Sequence, residues 1–240
     1  MSYIQIQNLT KTFNLPKRKV EVLRDIDLDI KEGQFILIFG PSGCGKTTLL
    51  NLILGLETPT SGKLKVKDRD IGKLESKERS AFRFKNFSTI YQNSIWLKSL
   101  NVVENVALPL YLDGKSQSEA KEKAMGALRL AQMEEFALSR PNELSSGEQQ
   151  RISLARAMVT DAPIITADEP TGNLDSKAGH DLMKTLDHLH RQGKTIILVT
   201  HNLSYLVHAD IKLAMKDGRI IGRFTENALP HKIKEELEEE

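Results

Sequence analysis

Eight consecutive residues constrain this 240-residue chain more than any others: Gly40-Pro41-Ser42-Gly43-Cys44-Gly45-Lys46-Thr47, which matches the pattern G-x-x-x-x-G-K-[ST]. The continuous apolar run Gln34 to Phe39 before it predicts a buried strand, and the segment from near Lys46 predicts a helix. Strand, glycine-rich loop and helix in this order open a parallel α/β sheet. The residue types suit one chemistry. Glycines let successive backbone N–H groups curl around phosphate oxygens with no Cβ in the way. The new helix aims its first N–H groups at the same anion. Lys46 is placed to bridge β- and γ-phosphates, and the Thr47 hydroxyl to ligate Mg²⁺. Cys44 occupies a variable position and is expected to contribute backbone. The alternative is a glycine-rich turn with no ligand, and the strand and helix around the loop weigh against it.

The rest of the chain organises around that unit. Tyr3 to Gln7 and Val20 to Ile30 alternate as half-buried strands around the polar stretch Pro16-Lys17-Arg18-Lys19, which predicts an antiparallel hairpin. Further strands are expected after Ser61-Gly62-Lys63 through Val66, from Phe87 to Tyr91, Ile164 to Ala167 and Thr195 to Thr200. Residues 101–136 suggest mainly helix with breaks near Asp113-Gly114 and Met133, and further helices span Gly147 to Val159 and Ser176 to Gln192. Asp217-Gly218 suits a hairpin turn between Ile211–Lys216 and Arg219–Phe224. The expected organisation is one domain over 1–230, with a helical subdomain at about 93–160 and a charged tail at 231–240.

Composition sets outer limits. A net charge of +2 is too small to argue for nucleic acid or an anionic membrane surface. One cysteine rules out an internal disulfide framework and suits a reducing compartment. The first residues lack a basic stretch followed by an apolar core, so no secretory signal is expected. No apolar run approaches the roughly 20 residues that cross a bilayer. Any role at a membrane is therefore expected to come through a partner.

Two carboxylates end the strand Ile164-Ile165-Thr166-Ala167-Asp168-Glu169. Neighbouring side chains at a strand end point in different directions and can do different work. Asp168 suits the Mg²⁺ shell and Glu169 the polarisation of an attacking water, since in-line attack on a γ-phosphate needs a positioned water and neutralised charge. The plain reading is an acidic turn. His201 follows the strand ending at Thr200, on the edge where open α/β sheets bind ligands, and is placed to donate to a γ-phosphate. As a lone histidine it also fits a structural role.

The segment Leu144-Ser145-Ser146-Gly147-Glu148-Gln149-Gln150-Arg151 resembles the signature motif of ABC ATPases, usually L-S-G-G-Q. Other family marks stand in the family's order. Gln92 resembles the Q-loop glutamine, Asp168-Glu169-Pro170 the Walker B end, Gly172-Asn173-Leu174-Asp175 the D-loop, His201 the switch histidine and Phe13 the aromatic that stacks on adenine. The resemblance runs from about Tyr3 to Phe224. It implies an α/β P-loop core with a mostly parallel sheet, an N-terminal antiparallel β subdomain and an inserted helical subdomain.

It also implies ATP hydrolysis, with Lys46, Glu169, His201 and Gln92 as catalytic residues. ATP is expected to touch Phe13, the loop from Gly40 through Thr47, and Thr48. Mg²⁺ is expected at Thr47, Gln92 and Asp168. A second nucleotide-binding subunit, most simply an identical one, would present Ser145, Ser146, Gly147 and Glu148 across a head-to-tail interface. Two positions depart from the family pattern. Ser146 stands where glycine is usual, which puts the rate of hydrolysis in question, and Glu148 replaces a frequent glutamine.

Asn105 to Leu110 and Gly172 to Asp175 are similar to the subgroup of lipoprotein-releasing, macrolide-export and cell-division ATPases. The implied partner is a transmembrane permease subunit, met at the cytoplasmic face of the membrane. The apolar residues after Gln92 (Ile95, Trp96, Leu97) suit either local packing or a groove for that partner. Other readings remain: a regulatory ATPase with little transport, or a DNA-maintenance ATPase of the same superfamily. Between Lys46 and Leu144 the long heptad coil of the latter is missing, and no basic stripe suggests nucleic acid.

Overall fold

The computed structural model describes residues 2–92, 95–172 and 174–225. The tail at 231–240, together with Asn93, Ser94 and Asn173, lies outside the described residues. Strands β1 (Ser2–Leu15) and β2 (Arg18–Lys31) form the expected hairpin, with Phe13 opposite Val20. Next come β3 (Phe35–Phe39), α1 (Lys46–Ile53) and β4 (Ser61–Val66). β4 pairs antiparallel with the other side of β1, and β5 (Arg69–Asp70) pairs with β4. This sheet has the order β2-β1-β4-β5.

The remaining elements are α2 (Ser76–Asn86), β6 (Phe87–Ile90), α3 (Val102–Leu112), α4 (Gln117–Leu130), α5 (Ser146–Met158), β7 (Ile164–Asp168), α6 (Ser176–Arg191), β8 (Thr195–Val199), β9 (Ile211–Lys216) and β10 (Arg219–Thr225). A second sheet has the order β10-β9-β3-β8-β7-β6. Its pairings are parallel except for the β9–β10 hairpin.

Because β3 is covered on both faces, all five of its residues are buried and apolar. Phe35, Leu37 and Phe39 pack toward Leu182, Met183 and Leu186 of α6. Ile36 and Ile38 pack on the opposite side with Leu49 and Leu50 of α1 and with Ile4 and Leu9 of β1. Each such side chain contributes about 1.5–3 kcal/mol on burial, so the strand that carries the glycine-rich loop is among the most firmly held parts of the chain.

Helices α3, α4 and α5 share a third cluster that includes Val106, Leu110, Ala124, Leu128 and Ile152. The break expected at Asp113-Gly114 is where α3 stops, with Gly114 at φ +80°. Asn101 caps α3, accepting from the Glu104 amide while the Glu104 carboxylate accepts from the Asn101 amide. Fully buried Asn105 ties down the loop before it. Its Oδ1 accepts from the Leu97 amide at 3.0 Å, and its Nδ2 donates to the carbonyls of Leu97, Leu100 and Asn101.

Helix α2 has no counterpart among the sequence expectations. Of its eleven residues only Asn86 is buried, so no apolar stripe marked it. Its capping pair Glu75 and Glu78 was the local signal available.

Candidate functional site

The register of the second sheet aligns four strand ends. Ile38 of β3 pairs with Val199 of β8, Asp168 of β7 also pairs with Val199, and Ala167 pairs with Ile90 of β6. Gly40, Thr200-His201, Asp168-Glu169 and Tyr91-Gln92 therefore leave the sheet along one edge. Ligands in open parallel sheets bind at this carboxyl edge.

Gly40 has φ +152°, and a Cβ there would collide with the carbonyl oxygen of Met215 on β9. Gly45 has φ +107° and lies against Val22 and Leu23 of β2. A side chain at either position would force the loop off its neighbours. Gly45 begins α1, and its carbonyl accepts from the Leu49 amide at 2.9 Å. Pro41, Ser42 and Gly43 are exposed, whereas Cys44 and Lys46 are buried. The Cys44 carbonyl accepts from the Gly218 amide at 3.0 Å, pinning the loop to the β9–β10 turn.

Lys46 turns back into the loop. Its ammonium donates to the carbonyls of Gly40 (2.8 Å) and Pro41 (3.0 Å). A hollow of about 140 Å³ is lined by Val22, Gly43, Gly45, Lys46, Thr47 and Thr48. A second hollow beside it, of about 300 Å³, is lined by Val20, Glu21, Val22, Arg24, Gly43, Asp217 and Gly218. Nothing in the sequence pointed to β2 here, because Val20 and Val22 look like any strand residues until the hairpin folds over the loop.

Thr47 Oγ1 donates to Asp168 Oδ1 at 3.2 Å, joining the loop to β7. Burial pushes the Asp168 carboxyl above its ordinary pKa; the Thr47 hydrogen bond opposes this, the Glu169 charge adds to it and Lys46 opposes it. A hydroxyl and a carboxylate at this spacing are oxygen donors of the kind Mg²⁺ prefers. Among the described residues no cluster of three His, Cys, Asp or Glu could hold a metal alone.

Glu169 has φ +45°, a backbone conformation that costs a non-glycine residue energy and persists where its surroundings enforce it. Three contacts enforce it here. Its amide donates to the Val199 carbonyl at 2.8 Å, its Oε2 accepts from Thr200 Oγ1 at 3.1 Å, and its Oε1 lies 3.0 Å from His201 Nδ1. Thr200, which the sequence pattern marks only as a strand end, thus joins the candidate site. Gln92 lies beside the following turn: a Cβ on Gly172 would stand 3.5 Å from its Nε2 and 3.4 Å from the Glu169 carbonyl.

Two groups of sequence candidates stand apart from this edge. Phe13 sits on β1, with the ammonium of buried Lys11 4.6 Å from its ring centroid. Lys11 is anchored by Glu57 and by the Thr58 carbonyl, each at 2.8 Å. Ser145 to Glu148 form the start of α5. The Glu148 carboxylate accepts from the Ser145 amide (2.7 Å) and hydroxyl (2.8 Å), and these bonds lower its pKa. Ser146 is the exposed first residue of the helix. Among the described residues no hydrogen bond or ion pair links 145–148 to the loop at 40–48. Gly147 instead faces Leu174, in the turn after Glu169.

The segment after Gln92 divides in two. Ile95 is 75% exposed and Leu97 47% exposed. Trp96 packs against the helical cluster, and its indole N–H donates to Gln149 Oε1 at 2.9 Å. The expectation of local packing therefore holds for Trp96, while Ile95 and Leu97 remain on the surface.

Comparison with known proteins places this geometry. A family described as ABC transporter matches residues 23–172. The chain is 40% identical to an uncharacterized ABC transporter ATP-binding protein, MJ1508, of Methanocaldococcus jannaschii, over 91% of this chain and 97% of that one. It is 41% identical to the macrolide export ATP-binding/permease protein MacB of Campylobacter fetus, over 98% of this chain but only 37% of MacB. It thus spans little more than a third of that relative. A solved dimer of the ATP-binding cassette MJ0796, in a post-hydrolysis state bound to ADP and Pi, superposes with a TM-score of 0.89 at 35% identity, covering 94% of this chain and all of that one.

Proposed function

Because this chain belongs to the ABC transporter family and is an ATP-binding, ATP-hydrolysing subunit, we propose that two copies close head to tail around two Mg-ATP and drive a membrane-embedded partner. One observation carries the reading. The loop at 40–47, the acids at 168–169 and His201 share one sheet edge, whereas Ser145–Glu148 make no hydrogen bond or ion pair to that loop within the chain. A second copy supplies the missing half. The γ-phosphate then makes charge-assisted hydrogen bonds to both copies, and its loss removes them.

Within each site the exposed turn of the loop and the first amides of α1 bind phosphate oxygens. Lys46 swings from the Gly40 and Pro41 carbonyls onto the β- and γ-phosphates. Phe13, backed by Lys11, offers a ring face to adenine. Thr47 and Asp168 hold Mg²⁺, with Gln92 beside them, and Mg²⁺ supplies neutralisation of phosphate charge. Glu169 accepts the proton of the attacking water. Thr200 and His201 fix its carboxylate for that step, and His201 also donates to the γ-phosphate.

The partner reading rests on a groove of about 570 Å³ lined by Tyr91, Phe84, Ile95, Leu108, Leu112 and Arg156 among others. No described helix is long and apolar enough to cross a membrane. The similarity to MacB, an ATP-binding/permease protein, supports a permease partner of the export or mechanotransmission type, reached from the cytoplasmic face. The test uses Glu169→Gln with ATP and Mg²⁺. Light scattering should report a nucleotide-dependent dimer that wild type does not accumulate. A monomer at high concentration, even with the membrane partner present, overturns the reading.

A further inference from the structure

Besides His201, two further histidines face carboxylates, and both tie the segment that follows His201 to α6. His208 closes the short 3-10 turn Leu203–His208, and its Nδ1 lies 2.8 Å from Asp187 Oδ2. His190 Nε2 lies 2.8 Å from the Gly33 carbonyl and 3.2 Å from Asp210 Oδ2. Carbonyls and ionised carboxylates only accept, so each of these ring nitrogens carries its hydrogen. The pairs are crossed, α6 supplying the carboxylate to one and the histidine to the other. Asp187 and His190 are three residues apart and share one face of the helix.

The two pairs do not have equal work. Asp210 is held independently of His190, since its carboxylate accepts from the Phe35 amide at 2.8 Å and its amide donates to the Phe35 carbonyl at 2.9 Å. The 203–208 turn has no such second anchor. Among the described residues, His208 to Asp187 is the one side-chain hydrogen bond between this turn and α6. The other contacts are steric. Leu206 is fully buried with Leu182, Met183 and Leu186 of α6. A Cβ on Gly179 would stand 2.9 Å from Tyr205 Oη, so the turn lies close on the helix there.

The near end of the turn leads straight to the chemistry. Asn202 Oδ1 accepts from the Ser204 amide (3.0 Å) and hydroxyl (2.7 Å). The Asn202 amide donates to Thr200 Oγ1 at 3.0 Å, and that hydroxyl donates to Glu169 Oε2. The His201 side chain is 68% exposed, so little packing fixes it. Its place is set by its backbone, held at Thr200 on one side and by the turn on the other. We infer that Asp187 and His208 are positioning residues for His201: by fixing the turn on α6, they hold His201 Nδ1 against the Glu169 carboxylate. The inference rests on the role given to His201 above and adds the residues that set its place.

The test measures turnover and ATP affinity of the full chain. Asp187→Ala and His208→Leu should each lower kcat about 10- to 100-fold, the cost of a misplaced reacting group, and leave ATP affinity within about twofold. His208→Asn puts an amide N–H where Nδ1 stood and should recover most of the rate. His208→Gln puts it where Nε2 stood and should not, so two polar variants of similar size test the pair even if the apolar one misfolds. The deciding comparison is a double-mutant cycle: in a His201→Ala background, Asp187→Ala should lower turnover no further. Additive losses, equal rates for the Asn and Gln variants, or a loss of affinity in step with turnover would assign the pair a purely structural role and overturn the inference. Near-normal turnover of His201→Ala alone would overturn the reading of His201 as well.

Discussion

His201 Nδ1 lies 3.0 Å from Glu169 Oε1, although the two residues follow different strands. The contact exists because β7 and β8 are parallel neighbours with Asp168 paired to Val199. It holds in place the carboxylate proposed to take a proton from water. His201→Ala and Glu169→Gln should each keep ATP binding while turnover falls about 10²–10⁴-fold. Phosphate release measured beside nucleotide binding checks this, and near-normal turnover in either variant would remove that residue from the chemistry.

Lys46 has its ammonium on two loop carbonyls, within reach of the proposed phosphate cradle. Lys46→Ala deletes a charge-assisted hydrogen bond of about 1.5–3 kcal/mol, so ATP should bind about 10- to 100-fold more weakly. Calorimetry gives the constant directly. Unchanged affinity would contradict the proposed cradle.

Asp168 carries a raised pKa, chiefly through burial. The folded chain therefore holds this proton more tightly than the unfolded chain. Stability from this group is greatest below the ordinary aspartate pKa and falls as pH rises through the raised folded value. At neutral pH the ionised side chain is a net cost in the nucleotide-free fold. Asp168→Asn should raise the Tm of that form by a few degrees, flatten its pH dependence across this window, and still abolish ATPase activity. Scanning calorimetry at neutral and acid pH tests the sign; a lower Tm at neutral pH would show that the Thr47 bond outweighs desolvation.

Ser146 is the exposed first residue of α5, and Ser145 rather than Ser146 makes the capping bonds. Ser146→Gly should cost no more than about 1 kcal/mol of helix stability and leave turnover equal or higher. A large fall in ATPase rate would mean that its hydroxyl is specifically required.

Much of the site was legible because its signals are local. The loop after β3, the two acids ending β7 and the histidine after β8 each announce themselves by residue type beside a predicted strand. The ordered marks from Phe13 to His201 then pointed to one family. Helix α2 was invisible because its surface is polar on nearly every side. Thr200 and Val22 were missed because their significance lies in what they touch, and no spacing within the chain encodes that.

By itself, then, the sequence determined most of the elements, the glycine-rich loop, the family and the candidate reacting groups, all of which depend on short runs of residues. Only the tertiary structure decided that β4 joins the antiparallel sheet, that Glu169 is bent into a left-handed conformation against Thr200 and His201, and that Arg156 reaches the Ile95 carbonyl and the Trp96 ring. The physical reason is that strand register, burial and the supply of counter-charges are set by residues far apart in the chain, which meet only when the sheets close over their shared core.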